Sequence, residues 1–386
     1  MKRTQSHTHS WVEISQRALE HNIRAHRRLI GPKVKLMAVV KSNAYGHGME
    51  LVSRAAEQSK QVDWLGVASL SEATVLRAAK IKLPILVLSY FRPFDTREIV
   101  SALKQKTSFV VYELEQVHAL EQAAKKTHTQ AHVHLKLDTG LSRLGLMPKQ
   151  AAKLLQRIAG SPYLTLDGVA SHLATAESAN QSYVVQQSRV FERFVAEHRT
   201  QLGKKPLLHL ACSAAITASP SSRQTMVRLG LGLYGLWPSE ENQHVVTKLH
   251  PSFKLKPVLT WKTRVIQQKI LPKGANVGYD RSYRAKQLTH MAVLPVGYWE
   301  GYARGLSNQG SVLIHGTRVP IIGRICMNVC MVDVTDAPSV REGDEVVLLS
   351  KQGKAEITAE EIGRQLKTIN YEVVTRINVN LKRILV

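Results

Sequence analysis

Residues 35–48 read KLMAVVKSNAYGHG. Residues 35–41 (KLMAVVK), apolar throughout at 36–40, suit a strand buried on both faces, as in a parallel sheet. It delivers Lys41 into a turn built from Ser, Asn and Gly. A lysine emerging from a buried strand loses hydration, so its pKa falls and its amine becomes free to form a Schiff base. The same residues also allow Lys41 to snorkel into water from the strand end.

Seven further runs of this kind follow, at 64–69 (WLGVAS), 85–90 (ILVLSY), 108–112 (SFVVY), 132–138 (HVHLKLD), 165–172 (TLDGVASH), 207–213 (LLHLACS) and 226–235 (MVRLGLGLYG). Helical patterns lie between them, among them 71–80, 113–126, 148–159 and 182–202, and Ser69 and Ser71 ahead of Glu72 make a helix start. Eight βα units in about 200 residues predict an α/β fold, a (β/α)8 barrel of the TIM type. No GxGxxG follows the first run, which disfavours a doubly wound sheet. On such a barrel the chemistry sits at the C-terminal ends of the strands. Lys41, Lys136, Asp138, His172, Ser213, Arg228 and Gly230 all fall at or near those ends, and Arg143 lies in the loop after the fifth run.

After Trp237 the pattern changes. Residues 238–248 are polar and read as a linker; 258–271, 290–298, 311–314, 319–333 and 345–349 read as strands, and 359–366 as a helix. The expected division is therefore a barrel domain at 1–245 and a mainly β C-terminal domain at 246–386.

The chain has 386 residues, 44% of them hydrophobic and 21% charged, a globular rather than disordered composition. No apolar run approaches the roughly 20 residues of a membrane helix, and no apolar stretch follows the basic N-terminal residues as in a secretory signal. Three cysteines without a CxxC pair make neither a disulfide framework nor a zinc site and point to a cytoplasmic setting. With 53 Lys and Arg against 29 Asp and Glu the net charge is +24. The basic residues are spread along the chain with no nucleic-acid-binding motif, so we expect neither a nucleic-acid nor a membrane partner.

The segment VVKSNAYGHG resembles the lysine motif of the alanine racemases. The resemblance continues in order through KLDTGLSRLG (136–145), VASHLATAE (169–177), HLACSAA (209–215), VRLGLGLYG (227–235), VGYDRSYRA (277–285), LPVGYWEGYAR (294–304), GRICMNVCMVDVT (323–335) and TINYEV (368–373). It implies a barrel followed by a β domain, pyridoxal 5′-phosphate held by Lys41 as a Schiff base, and racemisation of alanine for peptidoglycan. A same-family racemase of serine, lysine or broad specificity is the alternative. By the resemblance two bases would exchange the α-proton from opposite faces: Lys41 and Tyr279, the latter supplied by the partner subunit of a homodimer with shared active sites. Arg228 would face the pyridine nitrogen, with His172 and His209 linked to it. Ser213, Gly230, Leu231, Tyr45 and Tyr371 would hold the phosphate. Arg143 would touch the cofactor's phenolic oxygen and the substrate carboxylate, the Met327 N–H would donate to that carboxylate, and Tyr298 would stand at the entrance. Lys136 matches a lysine that is carbamylated in several members. Asn328 stands where many members carry aspartate. Read without the resemblance, Arg228 is a strand arginine paired with a carboxylate, Tyr279 a surface turn tyrosine, and the two histidines structural. No metal is implied.

Relatives on the same barrel that decarboxylate carry a glycine triplet for the phosphate and a reactive C-terminal cysteine motif, and neither is present here. Proteins that merely carry the cofactor lack the β domain.

Overall fold

The structure is a computed structural model and describes residues 9–337 and 339–386. It contains two compact units. One comprises Ala18–Ala44 and Met49–Lys256; the other takes the described residues up to Arg17, then Tyr45–Gly48 and Pro257–Val386.

The strands in chain order begin with β1 (Ser10–Ile14), β2 (Lys35–Val39), β3 (Trp64–Val67), β4 (Ile85–Val87) and β5 (Thr107–Val111). They continue with β6 (Ala131–Lys136), β7 (Leu164–Ala170), β8 (Leu207–His209) and β9 (Met226–Leu229). Strands β2 to β9 pair in parallel, each with the next, and β9 closes on β2 to form a barrel. All eight predicted strands are present. Every residue of β5 and all but the first of β2 are buried, as expected of strands enclosed by helices outside and by their own side chains within.

Several strands stop short of the predicted ends because the chain leaves the sheet at the mouth of the barrel. The first ends at Val39, before Lys41; the seventh ends at His209, and Ser213 instead opens the helix Ser213–Ala218. Gly230 and Leu231 lie beyond β9, at the start of the 3-10 turn Leu231–Tyr234.

The polar stretch read as a linker is a helix of the barrel unit, Glu240–Leu249. Ser239 caps it by accepting the Asn242 N–H, two glutamates occupy its first turn, and Val246 is buried with Ala25 and Phe253. A short capped helix with one apolar anchor looks, in sequence, like a loop.

The second unit adds β10 (Leu259–Arg264), β11 (Gln267–Leu271), β12 (Asn276–Val277), β13 (Tyr283–Arg284), β14 (Thr289–Leu294) and β15 (Ser311–Ile314). It is completed by β16 (Thr317–Pro320), β17 (Cys330–Asp333), β18 (Glu345–Gln352), β19 (Ala355–Ile357) and β20 (Lys382–Leu385). A seven-stranded sheet runs β16-β15-β18-β10-β1-β20 with β19 on β18, beside a three-stranded sheet β11-β14-β17. The N-terminal strand β1 pairs antiparallel with β10 and parallel with β20. The expected division at 245/246 therefore differs from the structure in three ways: the barrel unit runs to Lys256, and both the N-terminal strand and Tyr45–Gly48 belong with the β unit. The predicted strand 319–333 is two strands, and the irregular segment between them carries Met327.

Candidate active site

Lys41 follows β2 and opens a turn of unusual hand. Ser42 (φ 54°, ψ 53°), Asn43 (53°, 43°) and Ala44 (53°, 52°) are all left-handed, and Tyr45 follows with φ 52°. Left-handed helix costs an L-residue roughly 1–2 kcal/mol, so four non-glycine residues in a row need outside support. The Glu72 carboxylate accepts the Ser42 N–H at 2.6 Å through one oxygen and the Ala68 N–H at 2.7 Å through the other. Asn43 Oδ1 accepts the Met49 N–H at 2.9 Å, and the Ala44 N–H reaches the Val40 carbonyl at 2.8 Å. Burial, first, and then Arg143 and Arg228 hold the Lys41 amine below the usual lysine range, while Glu72 works the other way.

On β9, Arg228 is buried and donates to five acceptors. Nη1 reaches His209 Nδ1 (2.8 Å) and the His209 carbonyl (2.7 Å). Nη2 reaches His172 Nδ1 (3.1 Å) and the carbonyls of Ser171 (2.7 Å) and Leu210 (3.0 Å). None is a carboxylate, so the reading of Arg228 as half of an ion pair does not hold. A guanidinium has only donors, so both Nδ1 atoms accept and each neutral ring carries its proton on Nε2. Burial and then Arg228 push both histidines well below the usual range. His209 passes the pattern on, its Nε2–H donating to His134 Nδ1 at 2.9 Å. Burial lowers His134 to about 4. Burial also lowers Arg228, to about 10, still protonated at neutral pH.

Lys136, the last residue of β6, is held well below the lysine range by burial, then by Arg228 and Arg143. Asp138, placed by the sequence among the reactive groups, is structural: its Oδ1 accepts the N–H groups of Gly140 (2.8 Å), Leu141 (3.0 Å) and Ser142 (3.2 Å), shaping the loop that leads to Arg143. Gln187 fixes the next loop, donating to the His172 carbonyl at 3.1 Å and accepting from the Ala174 N–H at 2.8 Å.

Ser213, Gly230 and Leu231 come together as expected. Ser213 Oγ accepts the N–H groups of Gly230 (2.9 Å) and Gly232 (3.2 Å), which leaves its own hydroxyl proton to donate elsewhere. The Leu231 N–H has no hydrogen-bond partner among the described residues.

Within the second unit, Tyr45 and Tyr371 lie with ring centroids 6.1 Å apart. Gly46, at φ +83°, has no room for a Cβ beside the Val374 carbonyl, and its own carbonyl accepts from Arg383 Nε at 2.8 Å. Tyr279 stands on the turn Tyr279–Arg281 and is 69% exposed. Tyr298 and Met327 are exposed too, and their segments are joined: the Tyr298 N–H reaches the Cys326 carbonyl at 3.1 Å and the Trp299 N–H the Met327 carbonyl at 2.9 Å. The Met327 N–H has no partner among the described residues. Asn328 Nδ2 donates to Glu300 Oε1 at 2.9 Å, a bond an ionised aspartate at 328 could not make.

The sequence reading missed Glu72 as a support of the lysine turn and His134 as an extension of the histidine network. Signals for both were present. Ser69-x-x-Glu72 has capping-box spacing, and His134 lies two residues before Lys136 on one strand, hence on the same face.

A closed parallel barrel with a desolvated amine at the end of its first strand, an arginine holding two neutral histidines, and a mainly β second unit together define a barrel enzyme of a particular class. Residues 14–238 match the family model for the alanine racemase N-terminal domain, and residues 258–385 the model for the C-terminal domain. The chain belongs to the alanine racemase family. It is 38% identical over 375 residues to the alanine racemase of Methanococcus maripaludis, covering 97% of this chain and 98% of that protein. Among solved structures it resembles the alanine racemase of Clostridium difficile, with TM-score 0.91, 31% identity and coverage of 98% and 96%. It also resembles a histidine racemase from Leuconostoc mesenteroides, with TM-score 0.87, 28% identity and coverage of 99% of each chain.

Proposed function

We propose that this protein interconverts L- and D-alanine with pyridoxal 5′-phosphate bound at Lys41, as a homodimer in which each active site receives Tyr279 of the partner subunit. The observation that carries the reading is Arg228, an always-charged donor whose fork fixes two neutral histidines behind a desolvated lysine. The D-alanine supplies peptidoglycan synthesis in the cytoplasm.

The residues present fit this cofactor. Lys41 offers an amine of lowered pKa. Ser213 keeps a free hydroxyl proton and Leu231 a free N–H, both suited to a phosphate. The family resemblance adds Gly230, Tyr45 and Tyr371 to the expected phosphate contacts.

Pyridoxal phosphate, when bound, supplies a conjugated ring that takes up the electron pair left as the Cα–H bond breaks. Lys41 Nζ, its pKa lowered by burial and then by Arg143 and Arg228, accepts the α-proton on one face. Tyr279 Oη delivers a proton to the other face, and in the reverse direction the roles exchange. Arg228 would donate toward the pyridine nitrogen without giving up its proton, with His172 and His209 held on its Nη atoms. By the family resemblance, Arg143 and the Met327 N–H would each donate to the substrate carboxylate, and Tyr298 would stand at the entrance. Burial, then Arg228 and Arg143, hold the Lys136 amine well below the lysine range, which favours the uncharged amine that carbamate formation requires, and the anionic carbamate would be attracted by Arg143.

The test is incubation of the purified protein with L-alanine, L-serine, L-lysine and L-histidine, followed by chiral chromatography. Alanine is expected to show the highest kcat/KM. A higher value for another of the four would leave the family assignment standing and overturn the substrate.

Arg228→Glu probes the electronics. A carboxylate would stabilise a proton on the pyridine nitrogen. Racemisation should fall, on the order of 10²-fold as for the loss of an oriented donor, and the ratio of transamination to racemisation should rise. Arg228→Lys, which keeps charge but not the planar fork, should slow racemisation with little change in that ratio. An unchanged ratio in Arg228→Glu with cofactor bound would make Arg228 purely structural.

A further inference from the structure

We infer that Glu72 is a positioning residue for the reaction, clamping the left-handed turn that aims Lys41. The inference rests on the function proposed above.

Three observations converge on this side chain. Its two oxygens accept from two different segments, Ser42 N–H at 2.6 Å just after Lys41 and Ala68 N–H at 2.7 Å just after β3. One carboxylate therefore ties the strained turn to the end of the neighbouring strand, where β2 and β3 are already paired. Glu72 itself is held in place, because Ser69 Oγ accepts its N–H at 3.2 Å and it lies in the first turn of the helix Leu70–Ala78. The charged groups acting on Lys41 are Arg143, Arg228 and Glu72, and of these Glu72 alone is an anion. Neighbouring His172 is kept neutral.

The clamp has a steric logic. Ser42, Asn43 and Ala44 would relax toward the right-handed region if released, and that rotation would carry Lys41 off its line. Only an acceptor with two oxygens can take both N–H groups. Glutamine keeps the length but presents an NH2 where one N–H must be accepted; aspartate keeps the charge but is one methylene shorter.

The test uses Glu72→Gln and Glu72→Asp in the full-length, cofactor-loaded protein. Amide hydrogen exchange should accelerate at Ser42 and Ala68 in both variants, with the other barrel strands unchanged. The visible absorbance titration reporting on Lys41 should shift to lower pH in Glu72→Gln, because a counter-charge is lost, and should move back toward the parent in Glu72→Asp. The value of kcat for alanine should drop about tenfold or more in both, a misplacement effect, with little change in KM. Parent-like exchange, titration and kcat in folded Glu72→Gln would overturn the inference. If the parent protein binds no pyridoxal phosphate or racemises nothing, the proposed function fails, while amide exchange still reports on the clamp.

Discussion

Lys41→Ala should lose racemisation by on the order of 10⁴-fold or more, at or beyond the top of the span usual for loss of a single acid–base group, because on the proposed function two roles disappear together. The amine proposed to anchor the cofactor is gone, and with it the proposed base on one face of the substrate. The turn should survive, since Glu72, Asn43 and the Val40 carbonyl hold its backbone and none of these bonds uses the lysine side chain. The circular dichroism spectrum should match the parent. Borohydride treatment of the parent followed by peptide mapping should recover the pyridoxyl label on Lys41. Recovery on another lysine, with Lys41→Ala still racemising at the parent rate, would remove Lys41 from the chemistry.

Tyr279→Phe should lower kcat by about 10²–10³-fold, within the range for removing one general acid or base, while the cofactor stays bound. Its position in the chain supports a role across an interface: an outward-facing tyrosine on a short turn, 69% exposed in the single chain. Mixing supplies the sharper prediction. In a heterodimer of Lys41→Ala and Tyr279→Phe chains, one site carries both defects and the other carries neither. Activity should return to about half of the parent level per heterodimer if the sites are independent. No return, with heterodimers demonstrated, would place Tyr279 in its own subunit's site or outside the reaction.

The barrel was legible because its strands are enclosed on both faces, which leaves unbroken apolar runs such as LMAVV at 36–40 that need no partner to be recognised. Strand β1 was not legible: SWVEI is short, and its partners β10 and β20 lie more than two hundred residues away. The helix Glu240–Leu249 was hidden by its polarity; its stability comes from the Ser239 cap and from Val246 against Ala25 and Phe253.

The candidate site residues were legible as types at or near strand ends, and several of their links were not. That Arg228 binds only neutral acceptors could not be read from VRLGLGLYG, because the acceptors come from β8 and from the segments following β7 and β8. Asp138 was read as reactive by its position, whereas its three N–H partners make it a loop organiser. Glu72 read as part of a helix start, and it is one; that its carboxylate also reaches the lysine turn depends on how β2 and β3 pair.

The most direct test of the central claim is to follow L-alanine with the purified protein in D2O, resolving both enantiomers and their isotopic mass at early times. Two bases on opposite faces, one of them exchanging with solvent before it delivers its proton, predict that D-alanine appears with deuterium at Cα while the remaining L-alanine is still largely protiated. Absence of D-alanine, or D-alanine that keeps the substrate's own proton, would contradict the account.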